Sequence, residues 1–200
     1  TWTFLIFFLV AFAGYFSLRR TPLWTPWLLL ASYVFYGWWY PPYTVILLGL
    51  TVYAHIFARI TISSRTALGA TVLLGLLPLG VFKYTGFAFD NLYTLTGFRA
   101  PYAADWVLPI GISFISFTAI AYIIDSQRRE TIPATNIWHT GLFISFFPQL
   151  IAGPILRANE LMPQIARISL DVRALKLAFL LFALGAFKKV GVADQLAPFV

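Results

Sequence analysis

The chain contains no cysteine, and this absence removes several kinds of chemistry at once. Disulfides, thiolate nucleophiles and cysteine-ligated zinc are excluded within its 200 residues. Charged residues are also scarce, at 10% of the chain against roughly 25% in soluble globular domains. So few charges cannot cover a water-facing surface. Lipid is therefore predicted to be the solvent for much of this protein.

Familiar catalytic and cofactor motifs are absent as well. The sequence contains no HExxH, no GxSxG, no phosphate-binding loop and no glycine-rich dinucleotide fingerprint. Its net charge of +7 comes from basic residues that stand singly or in pairs at the ends of apolar runs. Membrane proteins carry basic residues in these places, so no nucleic-acid partner is expected. No metal site and no bound cofactor is expected either.

Hydrophobic residues make up 60% of the chain and fall into seven apolar stretches. These are residues 2–18, 24–40, 43–60, 67–82, 106–124, 137–152 and about 175–187. About 20 helical residues span the hydrocarbon of a bilayer, and the first five stretches come close enough. The sixth is short and contains Pro148, and the seventh is short. We predict an all-α, multi-pass transmembrane helical bundle of about six or seven segments, one or two of them short or re-entrant.

The basic residues also predict an orientation. One set of segment ends carries Arg19, Arg20, Arg59, Arg65, Arg128 and Arg129, and the opposite set carries Lys83 and Arg99. The positive-inside rule then places the end of the first helix, at Arg19, in the cytoplasm. A mixed loop with Asp90 and Asn91 is expected after Lys83. Because apolar runs reach both chain ends, we expect residues 1–200 to be one transmembrane domain, the N-terminal part of a longer domain truncated at both ends.

Few polar residues within the apolar stretches are candidates for chemistry. His55 and His139 lack local partners of the kind a catalytic base or metal needs, and lone histidines near helix ends most often pack or hydrogen-bond between helices. The hydroxyls of Ser113, Ser116 and Thr118 are typical of interhelical hydrogen bonding. No nucleophile is predicted on these grounds.

The stretch around the sixth segment is richer. Pro148 and Pro154 stand six residues apart, so they must distort the helix and free backbone carbonyls near Gln149. Arg157 and Glu160 follow, three residues apart. Two interpretations are equally good on physical grounds. The segment either lines a polar entrance or is a membrane-surface elbow held by a structural Arg–Glu pair.

Several motifs resemble a known family. The most specific is Ser-Phe-Phe-Pro-Gln-Leu-Ile-Ala-Gly-Pro-Ile-Leu-Arg at residues 145–157. Weaker ones are Leu-Pro-Ile-Gly-Ile-Ser-Phe at 108–114, Ser-Tyr-Val-Phe-Tyr-Gly-Trp-Trp at 32–39, Phe-Lys-Tyr-Thr-Gly-Phe at 82–87, Tyr122, Asp125 with Arg128, and Lys-Lys-Val at 188–190 with Ala-Asp at 193–194. In this order they resemble membrane-bound O-acyltransferases, closest to the bacterial branch that acetylates alginate. The chain departs from the usual pattern at Ile115, Thr118, Arg129 and Gln195, where that family commonly has tyrosine, glutamine, glycine and asparagine.

The resemblance implies a bundle of helices around a funnel that reaches into the membrane. It also implies a catalytic histidine C-terminal to residue 200, a position to which neither His55 nor His139 corresponds. Within this chain, it implies a funnel wall that binds substrate, formed by Gln149, Pro154, Arg157, Ser113 and Asp125. A histidine acting as general base would activate a sugar hydroxyl against a thioester carbonyl.

The same resemblance implies partners and a location. The acyl donor would be acetyl-CoA or another thioester, acting as co-substrate, and the acceptor a cell-surface or exported polysaccharide such as alginate. The protein would lie in the bacterial inner membrane, in contact with the lipid bilayer and with other exopolysaccharide-acetylation proteins. Two alternatives stay open: a transporter, which broken helices would also serve, and a partner subunit that performs no chemistry.

Overall fold

A computed structural model describes residues 2–60, 62, 64–97, 107–151, 153–154, 156–166 and 171–197. Within these ranges the chain forms helices and no strand, which confirms the all-α prediction. It divides into two compact units, Thr1–Pro163 and Gln164–Val200.

The first unit contains eight helices and most of a ninth among its described residues. They are α1 (Trp2–Leu18), α2 (Trp24–Gly37), α3 (Thr44–Phe57), α4 (Arg65–Leu79), α5 (Thr85–Thr96), α6 (Ile112–Gln127), α7 (Ile137–Ser145), α8 (Phe147–Leu150) and α9 (Ala158–Ala166). A 3₁₀ turn, Pro41–Tyr43, leads directly into α3. The bounds of α1 are those of the first apolar stretch, and α2 begins where the second stretch does.

The fourth apolar stretch does not end in a loop, so that prediction was wrong. A π-helical segment, Gly80–Tyr84, joins α4 to α5, and Asp90 and Asn91 both lie inside α5. The polar side chains of α5 bond to their own helix: Asn91 Nδ2 donates to the carbonyl of Phe87 at 2.7 Å, and the Thr94 hydroxyl donates to the carbonyl of Asp90 at 2.9 Å. A polar composition therefore does not interrupt the helix. Arg99 lies outside the described residues.

The joined helix Arg65–Thr96 is, among the described residues, the one long and apolar enough by length and composition to cross a membrane. Its 32 residues measure about 48 Å, more than the roughly 30 Å of bilayer hydrocarbon. Lys83 lies about 27 Å along it from Arg65, a distance that fits the far interface. Shorter apolar helices are Trp2–Leu18, Pro41–Phe57 and Ile112–Gln127.

The broken sixth stretch lies at the centre of this unit. As predicted, it is interrupted beside Pro148: α7 ends at Ser145, Phe146 has a non-helical backbone, and α8 begins at Phe147. α2 and α3 both pack against α7, and the residues from Thr140 to Ser145 are all buried. Other helices of the chain therefore surround the interruption.

α6 is the second largely buried helix. It packs against α3 and α4, while α1 packs against α2. Aromatic rings join α1 and α2 to the broken segment, since Phe147 meets Phe7 edge-on at 5.1 Å and lies 5.8 Å from Phe35. The start of α8 is thereby fixed against the first two helices.

The second unit contains α10 (Val172–Ala186), a π-helical segment (Phe187–Ala193) and α11 (Asp194–Leu196). The Asp171 side chain caps α10 by accepting the N–H of Arg173 at 3.3 Å. The helix was expected to end before Lys188, but it continues through both lysines, and Lys189 pairs with Asp194. These lysines therefore lie within a helix.

Candidate functional site

Gln149 closes a tight turn with the residues that follow it. Its side-chain Nε2 donates to the carbonyl of Pro154 at 2.8 Å, and its backbone carbonyl accepts the N–H of Gly153 at 2.9 Å. The two prolines therefore stand on either side of a turn. The backbone carbonyls of Gln149 and Pro154, which lack helical partners there, both accept hydrogen bonds within it. The other side-chain atom, Oε1, is buried and has no hydrogen-bond partner among the described residues. Gln149 and Pro154, both named as candidate site residues, are thus in direct contact.

A glycine fixes the start of α6 against this turn. Gly111 caps α6 with φ 71°, a conformation that favours glycine, and a Cβ there would stand 2.8 Å from the carbonyl oxygen of Leu150. The motif at residues 108–114 is therefore in direct contact with the motif at 145–157. Ser113 lies half-buried in the first turn of α6.

Arg157 lies between two carboxylates at the other end of α6. Its Nη1 is 2.5 Å from Glu130 Oε2, and its Nε is 3.9 Å from Asp125 Oδ2. Asn159 Nδ2 also donates to the backbone carbonyl of Glu130, at 3.1 Å. The arginine side chain keeps 52% of its surface exposed, so this cluster meets solvent while the Asp125 side chain, at 13%, faces inward.

Glu130 is a site residue that sequence reasoning missed. It follows a turn in which the N–H of Arg129 bonds to the carbonyl of Ser126 at 3.1 Å and that of Glu130 to the carbonyl of Asp125 at 2.8 Å. This is the Schellman ending of a helix, whose left-handed position is usually glycine. Here Arg129 occupies it with φ 60°. The glycine common at this position in the resembling family was the available signal for the turn.

The five predicted residues do not form one cluster. Gly111 and Asp125 mark the two ends of α6, about 20 Å apart at 1.5 Å per residue. Leu150 touches the first end and Arg157 the second. The chain from Leu150 to Arg157 therefore runs from one end of α6 to the other, with Gln149, Pro154 and Ser113 nearer its start and Asp125 nearer its end.

An apolar cavity of about 510 Å³ lies beside the contact between Gly111 and Leu150. Ile110 and Ile151 line it, together with Phe7 of α1 and with Trp38 and Trp39, which directly follow α2. One lining residue, Thr3, carries a side-chain hydroxyl, and none is ionisable. The cavity offers apolar surface and no acid or base for catalysis.

Both histidines take part in contacts between helices. His55 Nδ1 lies 2.9 Å from the Thr140 hydroxyl oxygen and so joins α3 to α7. The His139 ring meets Trp24 edge-on at 5.9 Å. The interpretation of these two residues as packing and hydrogen-bonding groups is confirmed. Within the described ranges, no three His, Cys, Asp or Glu side chains are grouped in a way that could hold a metal ion.

Comparison with known proteins gives clear sequence relatives. The chain is 37% identical over 97% of its length to "Probable alginate O-acetylase AlgI" of Pseudomonas aeruginosa, and 37% identical over 98% to the protein of the same name from Azotobacter vinelandii. It is 34% identical over 95% of its length to "Peptidoglycan O-acetyltransferase" of Helicobacter pylori. No family model and no solved structure matches the chain.

The chain spans about two fifths of the length of these relatives: 39% of the first, 41% of the second and 43% of the third. Its similarity extends over nearly all of its own residues, including both motifs that meet at Gly111 and Leu150. Over the part that it spans, the chain is a homologue of the membrane-bound O-acyltransferases that are named alginate O-acetylase and peptidoglycan O-acetyltransferase.

Proposed function

We propose that the chain is the N-terminal part of a multi-pass membrane enzyme that transfers an acyl group, in the first place acetyl, to a hydroxyl of an exported or cell-surface polysaccharide such as alginate. The observation that carries this proposal is the interruption at Phe146, beside which Gln149 has a buried side-chain oxygen with no hydrogen-bond partner among the described residues. The names of the relatives support the chemistry, because alginate O-acetylase and peptidoglycan O-acetyltransferase both describe acetyl transfer to a polysaccharide.

The chain supplies the wall of the reaction path rather than its base. Acyl transfer needs a group that removes the hydroxyl proton as the thioester carbonyl is attacked. The two histidines are engaged at helix contacts, and the apolar cavity has no ionisable lining. The family resemblance implies a catalytic histidine, and we propose that this histidine lies beyond residue 200 and acts as the base.

The two ends of α6 would serve the two substrates. The arginine count assigns the Asp125 end to the cytoplasm, where acetyl-CoA or another thioester donor is available. The Gly111 end then faces the opposite side of the bacterial inner membrane, where the polysaccharide is. Donor and acceptor would approach along the chain from Leu150 to Arg157, which covers the length of α6.

The multi-pass topology is part of the proposal. The helix Arg65–Thr96 crosses the bilayer, and the shorter apolar helices α1 and α6, with the helix Pro41–Phe57, cross it where the protein thins the hydrocarbon. Since the chain contains no cysteine, single cysteines at exposed positions can report the side on which each helix end lies.

The test is transfer of radiolabelled acetyl to polysaccharide by the full-length protein in membranes. Changing each histidine beyond residue 200 to alanine should abolish transfer at one position. Gln149→Leu should lower transfer at unchanged protein level because it removes both polar atoms at the interruption. Asn91→Leu is the matched control, since Asn91 is exposed and bonds only to its own helix among the described residues.

Two results would favour the alternatives. If correctly inserted protein transfers no acetyl but moves a labelled substrate across the membrane, the protein is a transporter. If transfer survives every histidine change and depends on a separate enzyme, the protein is a partner subunit.

A further inference from the structure

Two loops at the ends of α3 and α6 are fastened together by one side chain. Gln127 Nε2 donates to the carbonyls of Phe57 and Ile60, at 3.1 and 2.8 Å, and Gln127 Oε1 accepts the N–H of Ile62 at 3.0 Å. Arg59 makes the reciprocal link, donating to the carbonyls of Ala134, at 2.6 Å, and Thr135. The described residues of 57–65 and 125–135 are therefore joined by hydrogen bonds, and together they are called the seam below.

The seam has an excess of positive charge. It contains four arginines, Arg59, Arg65, Arg128 and Arg129, against two carboxylates, Asp125 and Glu130. Both carboxylates are already paired with Arg157. Arg65, Arg128 and Arg129 are exposed and make no ion pair with another described residue. Their charge is therefore available to a partner.

The three free arginines stand close to the fastening side chain along the chain. Arg128 and Arg129 directly follow Gln127, and Arg65 is three residues beyond Ile62, a span of at most about 11 Å. They thus come from two parts of the chain, the start of α4 and the end of α6, and Gln127 hydrogen-bonds to residues that precede α4. An arrangement of this kind has less freedom to lose on binding than three cations on a flexible segment.

Arg129 is unusual in a second way. It occupies the left-handed position of the Schellman turn, where glycine fits without strain and an L side chain does not. A residue held in such a conformation motivates a functional explanation. The positive-inside rule explains a basic residue somewhere in this loop, but it does not explain an arginine at its one strained position.

We propose that the seam binds the phosphate of an anionic phospholipid head group, with Arg65, Arg128 and Arg129 as its cationic contacts. The surface lies at the ends of apolar helices, where head groups are present at high local concentration, and clustered arginines next to a membrane helix attract anionic lipid. The proposal rests on the topology given above, which places these helix ends at the cytoplasmic leaflet.

The test measures phosphatidylglycerol bound to the full-length protein in neutral detergent by native mass spectrometry, with phosphatidylcholine as the reference lipid. Arg129→Gly should lower the affinity for phosphatidylglycerol about 5-fold, and Arg128→Gln with Arg129→Gly about 25-fold. Binding of phosphatidylcholine should not change. Because Arg129→Gly relieves strain, its loss of lipid affinity cannot be ascribed to unfolding.

The matched control is Arg19→Gln with Arg20→Gln, which removes two charges that follow α1 and lie outside the seam residues. This pair should change the affinity less than 2-fold. An equal loss in both double variants overturns the proposal, because binding would then depend on net charge alone. No loss in either variant also overturns it, because binding would then not involve these arginines. Displacement of the lipid by millimolar inorganic phosphate would also overturn it, because the ligand would be free phosphate.

A separate measurement isolates the topology. Ile132→Cys, in a full-length protein from which any cysteine beyond residue 200 has been removed, places one cysteine at a 91% exposed position of the seam. An impermeant maleimide should label it from the cytoplasmic side. Labelling from the outer side would show that the proposed orientation is wrong. The lipid-binding measurements in detergent would still show whether the arginines bind phosphatidylglycerol.

Discussion

The hydroxyl of Ser32 accepts the backbone N–H of Phe147 at 3.2 Å, and both residues are buried. Phe147 opens α8 just after the interruption, so its N–H has no partner within a helix. Ser32 donates its own proton to the carbonyl of Leu28 at 2.8 Å, which leaves its oxygen free to accept. α2 thereby supplies the hydrogen bond that the broken helix lacks.

Ser32→Ala should lower the free energy of unfolding of the full-length protein by about 1–3 kcal/mol, because the buried Phe147 N–H is left without a partner. Thermal unfolding in detergent measures this. Ser17→Ala is the control: Ser17 makes the same kind of bond within its helix, to the carbonyl of Ala13 at 2.9 Å, but is exposed. Equal losses in the two variants would show that the bond between α2 and α8 contributes nothing.

Gly111→Ala should be more destabilising than Gly97→Ala. Both glycines have a left-handed backbone, with φ 71° and 70°, so each substitution brings about 1–2 kcal/mol of conformational strain. At Gly97 the new methyl group meets nothing within 4 Å, whereas at Gly111 it meets the Leu150 carbonyl at 2.8 Å. Gly111→Ala should also reduce acetyl transfer, because it displaces α6 from the Gln149 turn. Identical unfolding midpoints would contradict this contact.

Arg129→Gly should raise the free energy of unfolding by about 1 kcal/mol, because glycine adopts the left-handed conformation without the Cβ clash. Arg128→Gly, one residue earlier and at φ −79°, removes the same charge but should not stabilise the protein. The two midpoints are compared in the same detergent. A gain in both variants would mean that charge repulsion, and not the backbone, is relieved.

The sequence left two interpretations of the segment with Arg157 and Glu160 open, a polar entrance or an elbow held by an Arg–Glu pair. Because the structure pairs Arg157 with Glu130, a double-mutant cycle of these two residues separates the interpretations. If Arg157 holds the elbow, Glu130→Gln and Arg157→Ala should reduce acetyl transfer together, with a coupling of about 0.2–1 kcal/mol in stability because the pair is half-exposed. If Arg157 instead contacts substrate, Arg157→Ala should lower transfer while Glu130→Gln leaves it unchanged. The activity readout decides between the two.

Much of the fold was predictable because the length of an apolar run in the sequence indicates the length of the helix that it forms. The bounds of α1 and the interruption at Pro148 were read directly from the sequence. The errors share one cause, since both concern helices that continue through polar residues. In α5 the polar side chains bond to carbonyls of their own helix, and beyond α10 Lys189 pairs with Asp194. Neither local bond is visible in a hydropathy pattern.

The candidate site was predictable only in part. The two prolines predicted a distorted segment with freed carbonyls near Gln149, and the hydrogen bond from Gln149 to the carbonyl of Pro154 lies in that segment. The contact of Gly111 with Leu150 joins residues 39 positions apart, which no local pattern reveals. Glu130 was missed because its approach to Arg157 depends on a left-handed turn at a residue that is not glycine.

The hydrogen bond from Gln149 to Pro154 determines which atom of the glutamine side chain is left to bind a partner, and it leaves the oxygen. The amide nitrogen must face the proline carbonyl, since two oxygens in that place would repel each other. The oxygen that remains can only accept. Whatever completes this position must bring a hydrogen with it, as a water molecule or a sugar hydroxyl does and as a carboxylate or a carbonyl does not. The carbonyl of Pro154 thus prevents the Gln149 amide from rotating by half a turn. The position therefore prefers a hydrogen-bond donor over an acceptor.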